Sequence, residues 1–235
     1  MSLKHFTFNG ISSGRFGLLV SNVSVFGAPA RVVEKVQIPY RNGDLLIDSG
    51  AYNNYIVAYE VSIIQNTAEN LRAIANWLLN TSGYCELSDD FNPEEFRMAS
   101  YYNQLDYTMT MLNRYGSATI SFDCKPQRYL TSGQTPITYN TTYNVLVNPT
   151  YMPARPLIRI NGNGGCSVAG TSITVTNNAN NYIYIDCEKM QCYRGTTNKG
   201  NDVTMDDFPV LPAGDCVINA GTTTSIVITP RWWKL

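Results

Sequence analysis

The sequence is short of charge, short of histidine and without a long apolar run. Only 15% of its 235 residues are charged, 17 basic against 18 acidic, where an average soluble protein carries about 25%. A net charge of −1 with no basic cluster leaves no electrostatic footprint for nucleic acid, because phosphate neutralisation needs gathered Lys and Arg. The one histidine, His5, is a poor general base for nucleophilic Ser or Cys catalysis. No run reaches the ~18 apolar residues of a membrane span, and Met1-Ser2-Leu3-Lys4-His5 does not open a signal peptide. Neither a membrane nor export by the general route is expected.

Metal and phosphate motifs are also missing. Cys187 and Cys192 form a single pair with no second pair and no histidine at zinc spacing. With Cys85, Cys124, Cys166 and Cys216 they are scattered, and we expect reduced thiols; a Cys187 to Cys192 disulfide across a turn stays open. The neighbouring acids Asp89-Asp90, Glu94-Glu95 and Asp206-Asp207 lie in strand and loop sequence, where adjacent carboxylates point apart or into solvent, and are read as turn caps. Asn161-Gly162-Asn163-Gly164-Gly165 lacks the Lys-Ser/Thr of a phosphate loop and is followed by strand sequence, so it is read as a hairpin turn. No catalytic, cofactor-binding or metal-binding residue is nominated.

Neutral polar residues and tyrosine take the place of charge, with 24 Asn, 22 Thr and 16 Tyr. Such residues favour turns and strands over helices, and a charge-poor, aromatic surface suits large protein contacts. Residues 1–130 read as a β-rich domain with one helix. Tyr59 to Ile63 and Ala118 to Phe122 alternate apolar and polar, while Leu71, Ile74, Ala75, Leu78 and Leu79 give one helical face. Asn66 is the expected N-cap, with Glu69 three residues on, and Gly83 the left-handed exit. Prolines 126, 136, 149, 153 and 156 make a continuous helix implausible, so 131–156 is expected to be an extended Pro-rich linker. In 157–235 the pairs Ile158/Ile160, Ile173/Val175, Ile183/Ile185 and Ile226/Ile228, separated by Asn- and Gly-rich turns including Asn177 to Asn181, predict a β-sandwich. The fold expected is therefore mainly β in both halves.

Several segments in order resemble a known family. Phe6-Thr7-Phe8-Asn9-Gly10-Ile11-Ser12-Ser13, with Gly17 shortly after, resembles the opening of the distal tail proteins of long-tailed siphophages infecting Gram-positive bacteria. Ile38-Pro39-Tyr40-Arg41-Asn42-Gly43-Asp44-Leu45 and then Gly50-Ala51-Tyr52 continue it, as does the helix ending in Trp77-Leu78. Further on come Asn148-Pro149, Ala154 to Gly162, Ile183 to Glu188, Phe208 to Gly214, and the ending Ile228-Thr229-Pro230-Arg231-Trp232-Trp233.

The resemblance implies a structural virion protein of the tail tip, made in the host bacterial cytoplasm and without enzymatic activity or cofactor. It implies a homo-hexamer whose N-terminal domains form a ring, with a galectin-like C-terminal sandwich projecting outward. The major tail tube protein would lie above the ring and the tail-tip hub or tail-associated lysin below, and some relatives anchor a receptor-binding protein. Longer members carry an inserted carbohydrate-binding module, for which 235 residues leave no room. The loop-rich, aromatic segments Ile38 to Tyr55 and Phe91 to Tyr107 are the expected arms to neighbouring subunits. The alternative is a carbohydrate-binding module for host-surface glycans, favoured by the sandwich and the Tyr-rich surface. Of the two terminal tryptophans, one is expected to complete the sandwich core and the other to cover the linker, while the partner of Arg231 is left open.

Overall fold

The computed structural model describes residues 3–23, 27–64, 67–110, 115–140, 143–177 and 181–235. They fall into two compact units, one up to Arg128 and one from Tyr129 to Lys234.

The first unit is built on one antiparallel sheet. Its path runs Ile11–Ser12, Phe6–Phe8, Cys85–Asp89, Glu95–Ser100, Tyr115–Leu130, Tyr55–Ile63 and Leu18–Val23, with Tyr107–Thr110 also paired to Tyr115–Ala118. Alternation decides which face is inside: Val57, Tyr59, Val61 and Ile63 are buried, as are Ala118, Ile120, Phe122 and Cys124 on the neighbouring strand. The helix Ala68–Leu79 covers that face through Ile74, Trp77 and Leu78. The Trp77 ring stacks on Phe6 at 5.8 Å and Phe16 at 4.8 Å, and its Nε1 donates to the Phe8 carbonyl. The apolar stripe is thus turned from the expected one: Leu79 is exposed, and the much larger Trp77 takes the buried place. The N-cap is Thr67, whose side chain accepts from the Asn70 N–H; Asn66 lies outside the described residues. Asn80 is the C-cap, and Gly83 takes its left-handed φ of 75° beyond it.

The second unit is a β-sandwich. One sheet runs Ile137–Tyr139, Ser225–Thr229, Leu157–Asn161, Tyr182–Asp186, Gln191–Arg194 and Thr197–Asn198. The other runs Asn144–Asn148, Gly214–Asn219, Gly164–Val168, Thr171–Val175 and Val203–Met205. All four expected apolar pairs are buried, and they share one core with Leu146, Val168, Ile218 and Trp232.

Two expectations need correction. The stretch 131–156 carries a short 3-10 turn, Thr131–Gln134, and two strands, one in each sheet of the sandwich. Pro136 immediately precedes one of these strands and Pro149 follows the other, so these prolines exclude a helix yet are compatible with strands. Buried Asn148 donates to the Met152 and Pro212 carbonyls and accepts from Thr150, tying this segment to the 211–212 turn. The second correction concerns 161–165. Leu157–Asn161 and Gly164–Val168 belong to different sheets, so this turn is a crossover between sheets and not a hairpin. Gly162 (φ 81°) and Gly164 (φ 134°) are required there, since a Cβ would meet the Thr224 and Thr222 hydroxyls at 2.6 and 2.4 Å. Of the turn at 177–181, Asn178, Ala179 and Asn180 lie outside the described residues.

Candidate assembly surfaces

The most conspicuous surface is a ribbon. Arg31–Val36 and Leu45–Tyr52 pair with each other alone, in a two-stranded antiparallel sheet, with a register shift between Arg31 and Val33. Both faces are open: only Val36 and Tyr52 are partly covered, and Leu46 is 60% and Ile47 49% exposed beside exposed Val32, Val33 and Leu45. Eight residues of strand extend about 26 Å. An isolated hairpin is marginal in water, and five exposed apolar side chains add nothing to its stability while it stays solvated. Local polar contacts hold its base. Arg31 pairs with Asp48, whose carboxylate is held below the usual range first by the Gly50 N–H and then by Arg31. The turn carries the resemblance motif 38–45, with Tyr40 at φ 64° and fully exposed, and Gly43 at φ 83°.

The arm expected at 38–55 is therefore the hairpin's tip and returning strand. Its partner Arg31–Val36 was missed because Arg-Val-Val-Glu-Lys-Val has no clean alternation. The segment expected as an arm at 91–107 is not loop throughout. It contains Glu95–Ser100, a strand inside the large sheet with Arg97 and Ala99 buried.

Buried Asp89 organises the turn leading into that strand. Its carboxylate accepts from Tyr59 Oη at 2.9 Å and from the Phe91 and Asn92 N–H groups, and it lies 3.5 Å from Arg97 Nη1, while Arg97 Nε donates to Tyr55. Burial and the adjacent Asp89 charge push the Tyr59 hydroxyl far above its ordinary pKa, so this phenol stays a donor. Asp90 accepts from the His5 N–H, and His5 Nδ1 is engaged at 3.1 Å with the Leu18 carbonyl. Asp207 accepts from Phe208 N–H. Asp89, Asp90 and Asp207 thus accept from backbone N–H groups, and Asp89 caps the turn that follows it. Across the opposite face of the sheet runs a shallow, mostly polar trough lined by Ser21, Glu60, Ser62, Gln104, Asp106 and Thr108 among others, with Val61 and Ala118. Among the described residues no group of three metal-ligating side chains occurs.

In the second unit the chain's last residues form a clasp. Arg231, at φ 59°, gives two hydrogen bonds to buried Asp186, at 2.7 and 3.3 Å, and lies 3.4 Å from Glu188. Burial would raise the Asp186 pKa, but Arg231 and the Glu188 and Lys189 N–H groups outweigh it and hold the carboxyl low. The Arg231 N–H donates to Gly133, and Leu130 N–H donates to Trp232. Gly133 has no alternative, because a Cβ would sit 2.4 Å from the Trp232 nitrogen. Trp232 is 4% exposed in the core; Trp233 donates from Nε1 to the Pro153 carbonyl. All six cysteines are free thiols, Cys187 and Cys192 included.

Comparison with known proteins gives these surfaces a setting. The family described as phage tail protein N-terminal domain matches residues 1–126. No curated protein matches the sequence. Among solved structures, the crystal structure of phage SPP1 Dit (gp 19.1), described as a paradigm of the hub adsorption apparatus in phages infecting Gram-positive bacteria, aligns with a TM-score of 0.72 at 12% identity, covering 100% of both chains. The phage P2 baseplate in its activated conformation aligns at a TM-score of 0.48 and 11% identity, over 97% of this chain and 98% of that one. The chain belongs to the phage tail protein family across its first 126 residues, and from end to end it carries the fold of a phage distal tail protein.

Proposed function

We propose that this phage tail protein is the hub of the tail tip: a homo-hexameric ring with the tail tube protein above and the tail-tip hub or tail-associated lysin below. The observation that carries the ring is the hairpin 31–52, a ribbon with both faces in solvent and apolar side chains on them. A ribbon of this kind gains stability by lying on another surface. In a closed ring every copy offers the same ribbon and the same receiving surface, so one head-to-tail contact repeats six times without a free end. Low overall charge limits repulsion where the copies meet. The role needs no chemistry, and the chain acts as a scaffold made in the host cytoplasm and carried in the virion. Sites for a receptor-binding protein would lie on the outward sandwich, which we take to be galectin-like.

Negative-stain images of the purified full chain and of tail tips test this. Six-fold rings are expected for the wild type. The double substitution Leu46→Asp and Ile47→Asp should yield folded single copies and no rings. Rings that persist in that variant would refute the arm's role, and a wild-type chain absent from the tail tip would refute the assignment.

A further inference from the structure

The second unit holds a half-buried cation whose hydrogen-bonding capacity is unspent. Arg97 and Arg231 each face a carboxylate, and Arg128 donates to the Gly27 carbonyl. The Arg159 side chain makes no ion pair and no hydrogen bond among the described residues, and its Nε is closed off from solvent. Its guanidinium lies 4.5 Å over the Tyr182 ring, which fixes the side chain by a cation–π contact.

The surroundings are ordered by strand register. Ile158, Ile160, Ile183 and Ile185 point into the core, so Arg159, Tyr182 and Tyr184 point out. Pairing places Arg159 opposite Tyr184, Tyr184 opposite Tyr193, and Tyr193 opposite Asn198, one row across four strands; Asn161 and Tyr182 form the next row. The Tyr184 and Tyr193 rings stack at 5.6 Å, and Tyr182 meets Tyr184 edge-on at 5.5 Å. Asp186, on the same side of its strand, is taken by Arg231 and by turn N–H groups. The Arg159 charge is therefore uncompensated on an aromatic, amide-bordered face.

We propose that this face binds a saccharide bearing a negative group, phosphate or carboxylate. The C–H side of a sugar ring is apolar and weakly positive and suits the negative face of a tyrosine ring. With Nε enclosed, the two Nη groups of the planar Arg159 guanidinium remain to meet an oxyanion in two-point contact, and stacking on Tyr182 pre-orients them. Tyrosine and arginine also make up protein hot spots, but none of the large exposed apolar residues belongs to this group, and a protein partner is the outcome the experiment must exclude. The proposal does not depend on the ring, although six copies would raise weak single-site affinity through avidity.

Titration of the full chain with phosphomannan, oligogalacturonate and unsubstituted mannan tests it, the first two distinguishing phosphate from carboxylate. Both anionic polymers, or one of them, should bind at least about tenfold more tightly than mannan, and added salt should weaken them. Arg159→Met, which keeps the packed stem, should abolish that preference; Arg159→Lys should keep part of it, and Tyr193→Ala should weaken all saccharides. Thermal midpoints and ring images recorded on the same variants separate a lost site from lost folding or assembly. Binding unchanged in Arg159→Met, equal binding of mannan, or no binding at about millimolar sugar overturns the proposal. So does loss of a tail-tip protein from Arg159→Met particles with no change in saccharide binding.

Discussion

Two antiparallel ribbons of the molecule, a longer and a shorter, differ in what surrounds them. Among the described residues, Arg31–Val36 with Leu45–Tyr52 has both faces open apart from Val36 and Tyr52, while Tyr182–Asp186 with Gln191–Arg194 has one face in the sandwich core and its turn locked by Arg231. Each strand of the free ribbon keeps one unpaired edge, whereas Tyr182–Asp186 and Gln191–Arg194 are paired on both sides within their sheet. The side chains differ as well: Ile183, Ile185 and Cys192 enter a closed core, whereas Leu46 and Ile47 meet water. The second kind stabilises its own unit; the first is the one we propose to serve assembly.

The largest effects should come from the locked ribbon. Gly133→Ala drives a Cβ into the Trp232 backbone and should unseat the clasp. Arg231→Met leaves the Asp186 carboxylate buried without its cation and should cost about 3 kcal/mol in denaturant unfolding of the second unit. Adding Asp186→Asn should recover part of that loss, since the stranded charge goes with it. A single-variant cost within about 0.5 kcal/mol would show the clasp to be ornamental.

Acid offers a milder way to open the same lock. The folded pKa of Asp186 lies below its unfolded value, so its stabilisation is complete above about pH 4 and lost as pH falls through the folded value. Unfolding midpoints of the second unit should therefore hold steady from neutral pH down to about 4 and then fall, less steeply in Arg231→Met. Asp48 of the free ribbon is shifted the same way but is solvated, so the hairpin should show no matching acid limb. A midpoint that changes little below pH 4 would sink this account.

Smaller still is the expected effect of Leu46→Thr and Ile47→Thr on the isolated chain. Both side chains are already in water, so the unfolding free energy should move by no more than about 0.5 kcal/mol. Ring yield should drop sharply, since the contact that covers these positions is lost. A larger loss of chain stability would mean that the ribbon is packed within its own subunit.

Much of the locked ribbon could be read from the sequence, because alternation is a local signal. Ile183/Ile185 and the other three pairs announced their buried faces, and the helix announced its span. What escaped was non-local. Arg231 finds Asp186 across 45 positions, and no spacing rule predicts that. The strands within 131–156 hid behind their prolines, because a proline rules out a helix without saying whether a sheet lies beside it. At the free ribbon, the motif 38–45 falls on the hairpin's turn, but the first strand lacked alternation. Trp77 displaced Leu79 from the buried face because the sequence pattern counts apolar residues without weighing their size.

Thiol chemistry gives the smallest effect and the sharpest contrast. Burial, with some help from the Asp186 charge, pushes the Cys187 thiol up to about 12, and burial also raises Cys192. The thiolate is the reactive form, so near pH 8 these two should react with a thiol reagent only as fast as the unit unfolds. Cys85, the one thiol of the six that is not fully buried, should react first. A cysteine placed on the free ribbon, Ile47→Cys, should label at once in single copies and become protected in assembled rings. If Cys192 and Ile47→Cys label at the same rate in the single chain, the two ribbons are equally open, and the distinction between locked and free fails. If Ile47→Cys labels equally fast in rings, the free ribbon stays uncovered on assembly and the contact lies elsewhere.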